Sequence, residues 1–404
     1  MIDSFNEHLY MNYRIFGKTG LRVSELCLGT MTFGTEWALG TDKEESKKIF
    51  DLYAERGGNF LDTANRYTEG TSERWLGEFI KNDRHHFVLA TKYTLRDRAG
   101  DPNFAGNHRK NMMRSVEESL QRLDTDFIDL LWVHAWDFMT PVDEVLRGLD
   151  DLVRSGKVHY VGISDTPAWV VSQANTMAEL RGWTAFAGLQ IEYSLLQRTP
   201  ERDLLPMAKQ FGLAVTPWGS IAGGALTGKY LKGETGRVPE ISARRSDRAN
   251  TIAAEVVQHA QQLGVSPSQL AINWVRQRDK NLTVIPIIGA RRPDQLADSL
   301  GCLDFEIPEP VLQALNAASA IRSTDLFSCC QRSALFFSIK RRRSISFCCS
   351  AMTRSNASLI AVSPLGRSVG NDPLGAAQII RVVGHQKCLN RARLLAVHLW
   401  PKHG

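Results

Sequence analysis

The feature that most constrains this chain is a regular alternation of short apolar runs with amphipathic stretches. Phe60-Leu61-Asp62, Phe87-Val88-Leu89-Ala90-Thr91-Lys92 and Phe127-Ile128-Asp129-Leu130-Leu131-Trp132-Val133-His134 read as buried strands. The last of these is almost continuously apolar, as a strand covered on both faces must be. Between them Met112, Val116, Leu120 and Leu123 recur at helical spacing, and Val142, Val145, Leu146, Leu149, Leu152 and Val153 form one apolar stripe closed by Ser155-Gly156. Ser24 to Thr30, Val158 to Ser164, Ala187 to Ile191, Leu213 to Pro217 and Thr283 to Pro286 supply further strands, each followed by a helical stretch. Strand–helix units repeated in this way predict an α/β fold, a (β/α)8 TIM barrel over residues 13–320. A short N-terminal β-hairpin precedes it, with its turn at Gly17-Lys18-Thr19-Gly20.

Residues 326–404 do not continue the pattern. Ser, Arg and Cys crowd this non-barrel extension, and neither strand nor helix periodicity runs through it. From Leu326 onward 12 Lys and Arg face the single acid Asp372, while the rest of the chain has 37 bases and 42 acids; the net charge of +6 therefore belongs to the tail. A run such as Lys340-Arg341-Arg342-Arg343 is compatible with an address signal or an RNA-binding arm, but the lack of either period favours a poorly ordered extension or out-of-frame coding sequence. No nucleic-acid partner is expected for the acidic barrel. Five of the seven cysteines also lie in the tail, and the two left, Cys27 and Cys302, suggest a reducing compartment. No apolar run approaches the roughly 18 residues of a membrane helix, and Met1 to Asn12 is polar and acidic, so the expected location is cytoplasmic, with no membrane partner.

In a closed barrel the residues just past each strand's C-terminal end share one mouth. Three consecutive strand ends deliver reactive groups there: Asp62 with Tyr67, then Lys92, then His134. The stretches Gly29-Thr30-Met31, Asp62-Thr63-Ala64-x-x-Tyr67, Thr91-Lys92, Val133-His134, Gly162-Ile163-Ser164 and Leu189-Gln190 resemble, in order and spacing, the aldo-keto reductase superfamily, notably its bacterial aryl-alcohol dehydrogenase-like and potassium-channel β-subunit-like members. The resemblance implies NADPH-dependent reduction of an aldehyde or ketone to an alcohol.

Physical chemistry assigns roles alongside that resemblance. Hydride addition to a carbonyl carbon leaves an alkoxide that must receive a proton. A free tyrosine, with a pKa of about 10, donates poorly near neutrality unless its phenolate is stabilised. An ammonium at Lys92 would lower the Tyr67 pKa, and Asp62 would keep Lys92 charged and pointed inward. Tyr67 is thus the expected general acid, and His134 the group that orients and polarises the carbonyl oxygen.

There is no Gly-x-Gly-x-x-Gly after a strand, which disfavours a Rossmann site. Gly223 to Lys229 has phosphate-loop spacing, but Tyr230 replaces the hydroxyl residue and no strand feeds the loop directly. The resemblance instead makes the loop after strand seven a cofactor clasp involving Trp218, Ser220, Ile221, Gly223 and Lys229, with Trp218 on the nicotinamide and Lys229 near the pyrophosphate. It places Gly289, Arg291, Gln295, Asp298 and Ser299 at the adenosine end, with Arg291 facing the 2′-phosphate. Ser164, Asp165 and Gln190 would hold the carboxamide, and Thr30 and Met31 would complete the site. Asp165 stands where many members have Asn, Gly219-Ser220 where a Ser-Pro pair is common, Gly289 where some branches place Lys, and Ser299 where Asn is usual. The expected partner is a small carbonyl compound such as an aromatic aldehyde, with Trp37, Phe104 and Trp136 lining its pocket. No metal site is expected, since no His-x-His pair or carboxylate cluster sits at a strand end. The alternatives are an NADPH-binding, redox-sensing regulatory subunit with little turnover and a Schiff-base aldolase using Lys92.

Overall fold

The computed structural model describes residues 11–321; the basic tail expected over residues 326–404 lies outside the described residues. A hairpin of β1 (Tyr13–Ile15) and β2 (Arg22–Ser24) pairs antiparallel at the chain start. Eight parallel strands follow: β3 (Cys27–Gly29), β4 (Phe60–Asp62), β5 (Val88–Tyr93), β6 (Ile128–Val133), β7 (Val158–Ser164), β8 (Gly188–Glu192), β9 (Ala214–Trp218) and β10 (Ile287–Ile288). Their order is β10-β3-β4-β5-β6-β7-β8-β9. Val215 closes the ring: it pairs in parallel with Val284, its N–H donating to Thr283 O and its carbonyl accepting from Ile285 N, each at 2.8 Å.

Helices α1 (Lys43–Glu55), α2 (Thr71–Ile80), α3 (Arg109–Leu123), α4 (Val142–Arg154), α5 (Ala168–Arg181), α6 (Leu204–Phe211), α7 (Asp247–Leu263), α8 (Pro267–Arg276), α9 (Pro293–Leu300) and α10 (Glu309–Ala318) wrap the outside. Local chemistry starts several of them. Asp42 accepts from Glu45 N ahead of α1, and Ser266 with Gln269 forms a reciprocal capping box ahead of α8. On α4 the apolar stripe buries Val145, Leu146, Leu149 and Leu152.

Two expected strands differ in detail. The run from Ser24 to Thr30 is interrupted at Glu25, whose buried carboxylate accepts from Asn12 N at 3.1 Å and Arg276 Nη1 at 2.9 Å; this anchor turns the chain from hairpin into barrel wall. The eighth stave is divided about Pro286, which lacks an N–H. Thr283 to Ile285 pairs with β9, whereas Pro286 O accepts from Cys27 N and Ile287–Ile288 pairs with β3.

The core has two shells. Phe16 from the hairpin plugs the barrel from below and meets Phe60, Val88, Leu130, Trp132 and Ile285 inside it, while larger clusters fill the space between sheet and helices. Because strand side chains alternate faces, inward positions recur every second residue. On β4 these are Phe60 and Asp62, on β5 Val88, Ala90 and Lys92, and on β6 and its continuation Leu130, Trp132 and His134. The lower inward layers are apolar, and the topmost one is polar, with Asp62, Lys92 and His134.

Among the described residues no helix is long and apolar enough to cross a membrane, and no cluster of three His, Cys, Asp or Glu side chains is placed to hold a metal.

Candidate active site

A cleft of about 1030 Å3 opens at the C-terminal ends of the strands, with Asp62, Tyr67 and His134 on its floor. Lys92 lies directly behind them, fully buried. Its ammonium donates to Asp62 Oδ1, to Thr63 O at 2.8 Å and to Tyr67 Oη at 3.2 Å. The other carboxylate oxygen of Asp62 accepts from Gln190 Nε2 at 2.9 Å. The Tyr67 and His134 rings stand edge to face, centroids 5.9 Å apart.

Burial, the strongest influence on Lys92, pulls its ammonium down, but Asp62 and then Tyr67 outweigh it and hold the group above the ordinary lysine value. Burial lowers His134 well below the ordinary imidazole range, with Lys92 adding to the effect, so the ring is neutral near pH 7. Tyr67 departs from expectation. Burial is its largest influence and raises the phenol above the ordinary value; Lys92 opposes this, and Asp62 adds to the rise. The resting site therefore keeps the phenol protonated, because desolvating a phenolate costs more than one ammonium, itself neutralised by Asp62, returns.

Backbone strain concentrates around the same mouth. Seven described non-glycine residues have positive φ, and six of them (Thr68, Glu69, Thr94, Phe138, Asp165 and Ala222) lie in loops following β4, β5, β6, β7 and β9. The seventh, Asp124, ends α3. Such residues cost on the order of 1–3 kcal/mol each and persist where the surroundings over-determine them. Asp165, at φ 40° and exposed to the open cleft, has its carboxyl pushed up to about 6, chiefly by desolvation among its neighbours, against a hydrogen bond from Trp218 and with Glu192 adding to the rise.

Met31, Ser164, Asp165, Gln190, Trp218, Ser220, Ile221, Gly223, Lys229, Gly289, Arg291, Gln295, Asp298 and Ser299 all line the cleft. Thr30 does not: it is buried beneath the floor, its hydroxyl donating to Asp62 O at 3.0 Å, so it supports the strand end instead. Of the three aromatics expected around the substrate, only Trp37 is on the wall, together with Leu39 and Leu95. Trp136 faces the core between sheet and helices, and Phe104 is sandwiched between the guanidiniums of Arg98 and Arg114 at 3.8 and 4.0 Å.

The far end of the cleft is built for anions. Lys229, Arg237 and Arg291 line it, and among the described residues none of them has a carboxylate partner. Enclosure, then repulsion from Arg244 and Arg291, pulls Arg237 below its ordinary value; of these neighbours Arg244 is paired with Glu192. The Lys229 ammonium rests against Gly224 and Gly236, where a Cβ would approach it to 3.0 and 2.6 Å. Ser220 Oγ and His134 Nδ1 are buried and have no partner. Unpaired cations and orphaned polar atoms along one groove suit a polyphosphate-bearing dinucleotide. Sequence reasoning missed Thr32, Arg237, Arg244 and Ser268 on this wall. The density of arginines after the glycine-rich stretch was the available signal.

Residues 25–320 match the model of the Aldo/keto reductase family. The chain is similar to a norsolorinic acid reductase of Aspergillus flavus, 39% identical over 309 residues covering 74% of this chain and 78% of the relative. It is similar to an aryl-alcohol dehydrogenase [NADP(+)] of Phanerodontia chrysosporium, 37% identical with 74% and 83% of the two chains covered. A putative aryl-alcohol dehydrogenase of Saccharomyces cerevisiae is also 37% identical, over 74% of this chain and 84% of its own. A family model spanning the whole barrel, with relatives of this identity and coverage, makes the chain a member of the aldo/keto reductase family and an oxidoreductase.

Proposed function

We propose that this protein reduces an aldehyde or ketone to an alcohol with NADPH, using Tyr67 as the proton donor. The observation that carries the reading is the Asp62–Lys92–Tyr67 chain, which ends beside His134 on the floor of the cleft. NADPH, when bound, would supply the hydride for the carbonyl carbon. His134, kept neutral by burial and lining the cleft floor, would donate a ring N–H to the carbonyl oxygen and set its place beside Tyr67. As negative charge grows on that oxygen, Tyr67 transfers its proton there, and Lys92, 3.2 Å away, stabilises the phenolate left behind. Solvent reaching the cleft restores the proton, and the product is the alcohol.

Lys229, Arg237 and Arg291 would hold the phosphates, with Arg291 at the 2′-phosphate, and Trp218 would stack the nicotinamide. Gln190, its amide nitrogen committed to Asp62, would have its oxygen available to the carboxamide. The name of the Phanerodontia relative supports NADP as the cofactor type and an aromatic substrate class. The ammonium of Lys92 argues against a Schiff-base aldolase, which needs a neutral amine. The test is loss of NADPH absorbance with a panel of aromatic and aliphatic carbonyl compounds. Rapid multiple turnover supports the reductase, whereas tight NADPH binding with no turnover supports the regulatory-subunit alternative.

A further inference from the structure

Three hydrogen bonds fasten the loop after β3 to the turn after Tyr67. Thr68 Oγ1 donates to Phe33 O at 2.6 Å, the Trp37 indole N–H donates to Glu69 Oε1 at 3.2 Å, and the Thr71 hydroxyl donates to Glu36. The turn they hold is unfavourable for its residues. Thr68 sits at φ 46°, ψ 48° and Glu69 at φ 54°, ψ 34°, a left-handed pair in which the β-branched threonine is an outlier. Close approach is possible because residue 34 is glycine; a Cβ there would lie 2.5 Å from Thr68 Cβ. Arg66 pairs with Glu69 from the other side.

The result is a fixed Trp37. Its ring lies on the cleft wall, edge to face with Tyr67 at a centroid distance of 6.3 Å and an angle of 73°. A carbonyl oxygen bonded to Tyr67 has this indole within reach of its substituent. A flat aromatic substituent gains ring contact there, while a puckered saturated one of the same size keeps only buried area.

We propose that Trp37, held by Glu69 on its strained turn, is the specificity-determining residue that selects planar aromatic carbonyl compounds over saturated ones of equal size. Glu69 is a positioning residue, acting through the indole. This rests on the reductase reading above.

The experiment measures kcat and KM for benzaldehyde and cyclohexanecarbaldehyde on the full-length wild type and on Trp37→Leu, Glu69→Ala and Glu69→Gln. Relative to wild type, Trp37→Leu and Glu69→Ala are each expected to lower the benzaldehyde-to-cyclohexanecarbaldehyde ratio of kcat/KM about five- to tenfold, mainly through KM, as loss of an aromatic pair does. Glu69→Gln keeps an acceptor oxygen for the indole and should retain the wild-type ratio. Trp37→Leu leaves the other two fastening bonds in place, so it decides the question even if Glu69→Ala does not fold. A ratio unchanged in Trp37→Leu overturns the proposal and leaves the reductase reading standing. No turnover of either aldehyde by wild type overturns both.

Discussion

The Lys92 ammonium has three N–H donors, and its third is aimed at Tyr67 Oη from 3.2 Å, the other two being taken by Asp62 and by Thr63 O. Since the phenol oxygen accepts from Lys92, its own O–H is left to point elsewhere, and the cleft is where it can. The same geometry that would stabilise a phenolate thus leaves the phenol's own proton free for a group in the cleft.

The buried pair behind Tyr67 makes a stability prediction separable from activity. Removing the ammonium alone leaves Asp62 charged in a site that is 2% exposed, so Lys92→Met should destabilise the fold by about 3–5 kcal/mol. Adding Asp62→Asn removes the stranded charge while keeping an acceptor for Gln190, and the double variant should regain most of the loss in Tm without regaining activity. Thermal unfolding and turnover measured on the same samples check this; a double variant no more stable than Lys92→Met contradicts it.

Arg291 has no carboxylate partner among the described residues and lines the far end of the cleft. If it reads the 2′-phosphate, Arg291→Ala should weaken NADPH binding by about ten- to a hundredfold, the range for a charge-assisted hydrogen bond, and alter NADH binding far less. Fluorescence titration of both nucleotides decides it. Equal losses would mean that Arg291 serves another purpose.

Asp165 makes a pH prediction. Its carboxyl is raised to about 6 in the folded chain against an ordinary 3.8, so the native state binds the extra proton between those values and stability falls as pH rises from about 4 through about 6. Asparagine removes that charge and also tolerates the positive φ of 40°. Because Asp165 is exposed to the open cleft, solvent screens part of this effect, and Asp165→Asn should raise Tm only modestly at pH 8, with less change at pH 4.5. A wild type and variant that keep the same difference in Tm at both pH values would contradict the assignment.

The barrel was legible because strands covered on both faces leave apolar runs, and because Val145, Leu146, Leu149 and Leu152 on α4 repeat at helical spacing. The meeting of Asp62, Lys92 and His134 was legible for a related reason: period-two alternation carries them inward at the tops of adjacent strands. Loops obey neither period. Nothing in the local sequence distinguishes Trp37 on the cleft wall from Trp136 in the core, or shows that Phe104 is enclosed by two arginines. The raised Tyr67 phenol was equally hidden, since a residue list names its charged neighbour but not the depth at which the two meet. Gln190 on Asp62, and Trp37 on Glu69, join residues far apart in the chain or in loops, and only the folded register brings them together.

The central claim is that the Tyr67 hydroxyl delivers the proton, and Tyr67→Phe tests it with a ring of nearly the same shape. NADPH oxidation in the presence of an aromatic aldehyde, followed alongside NADPH affinity by fluorescence, is the measurement. Loss of the proton donor should reduce turnover by about 10²–10⁴-fold while NADPH affinity stays close to wild type. A Tyr67→Phe protein that binds NADPH and still reduces the aldehyde at the wild-type rate would contradict the account.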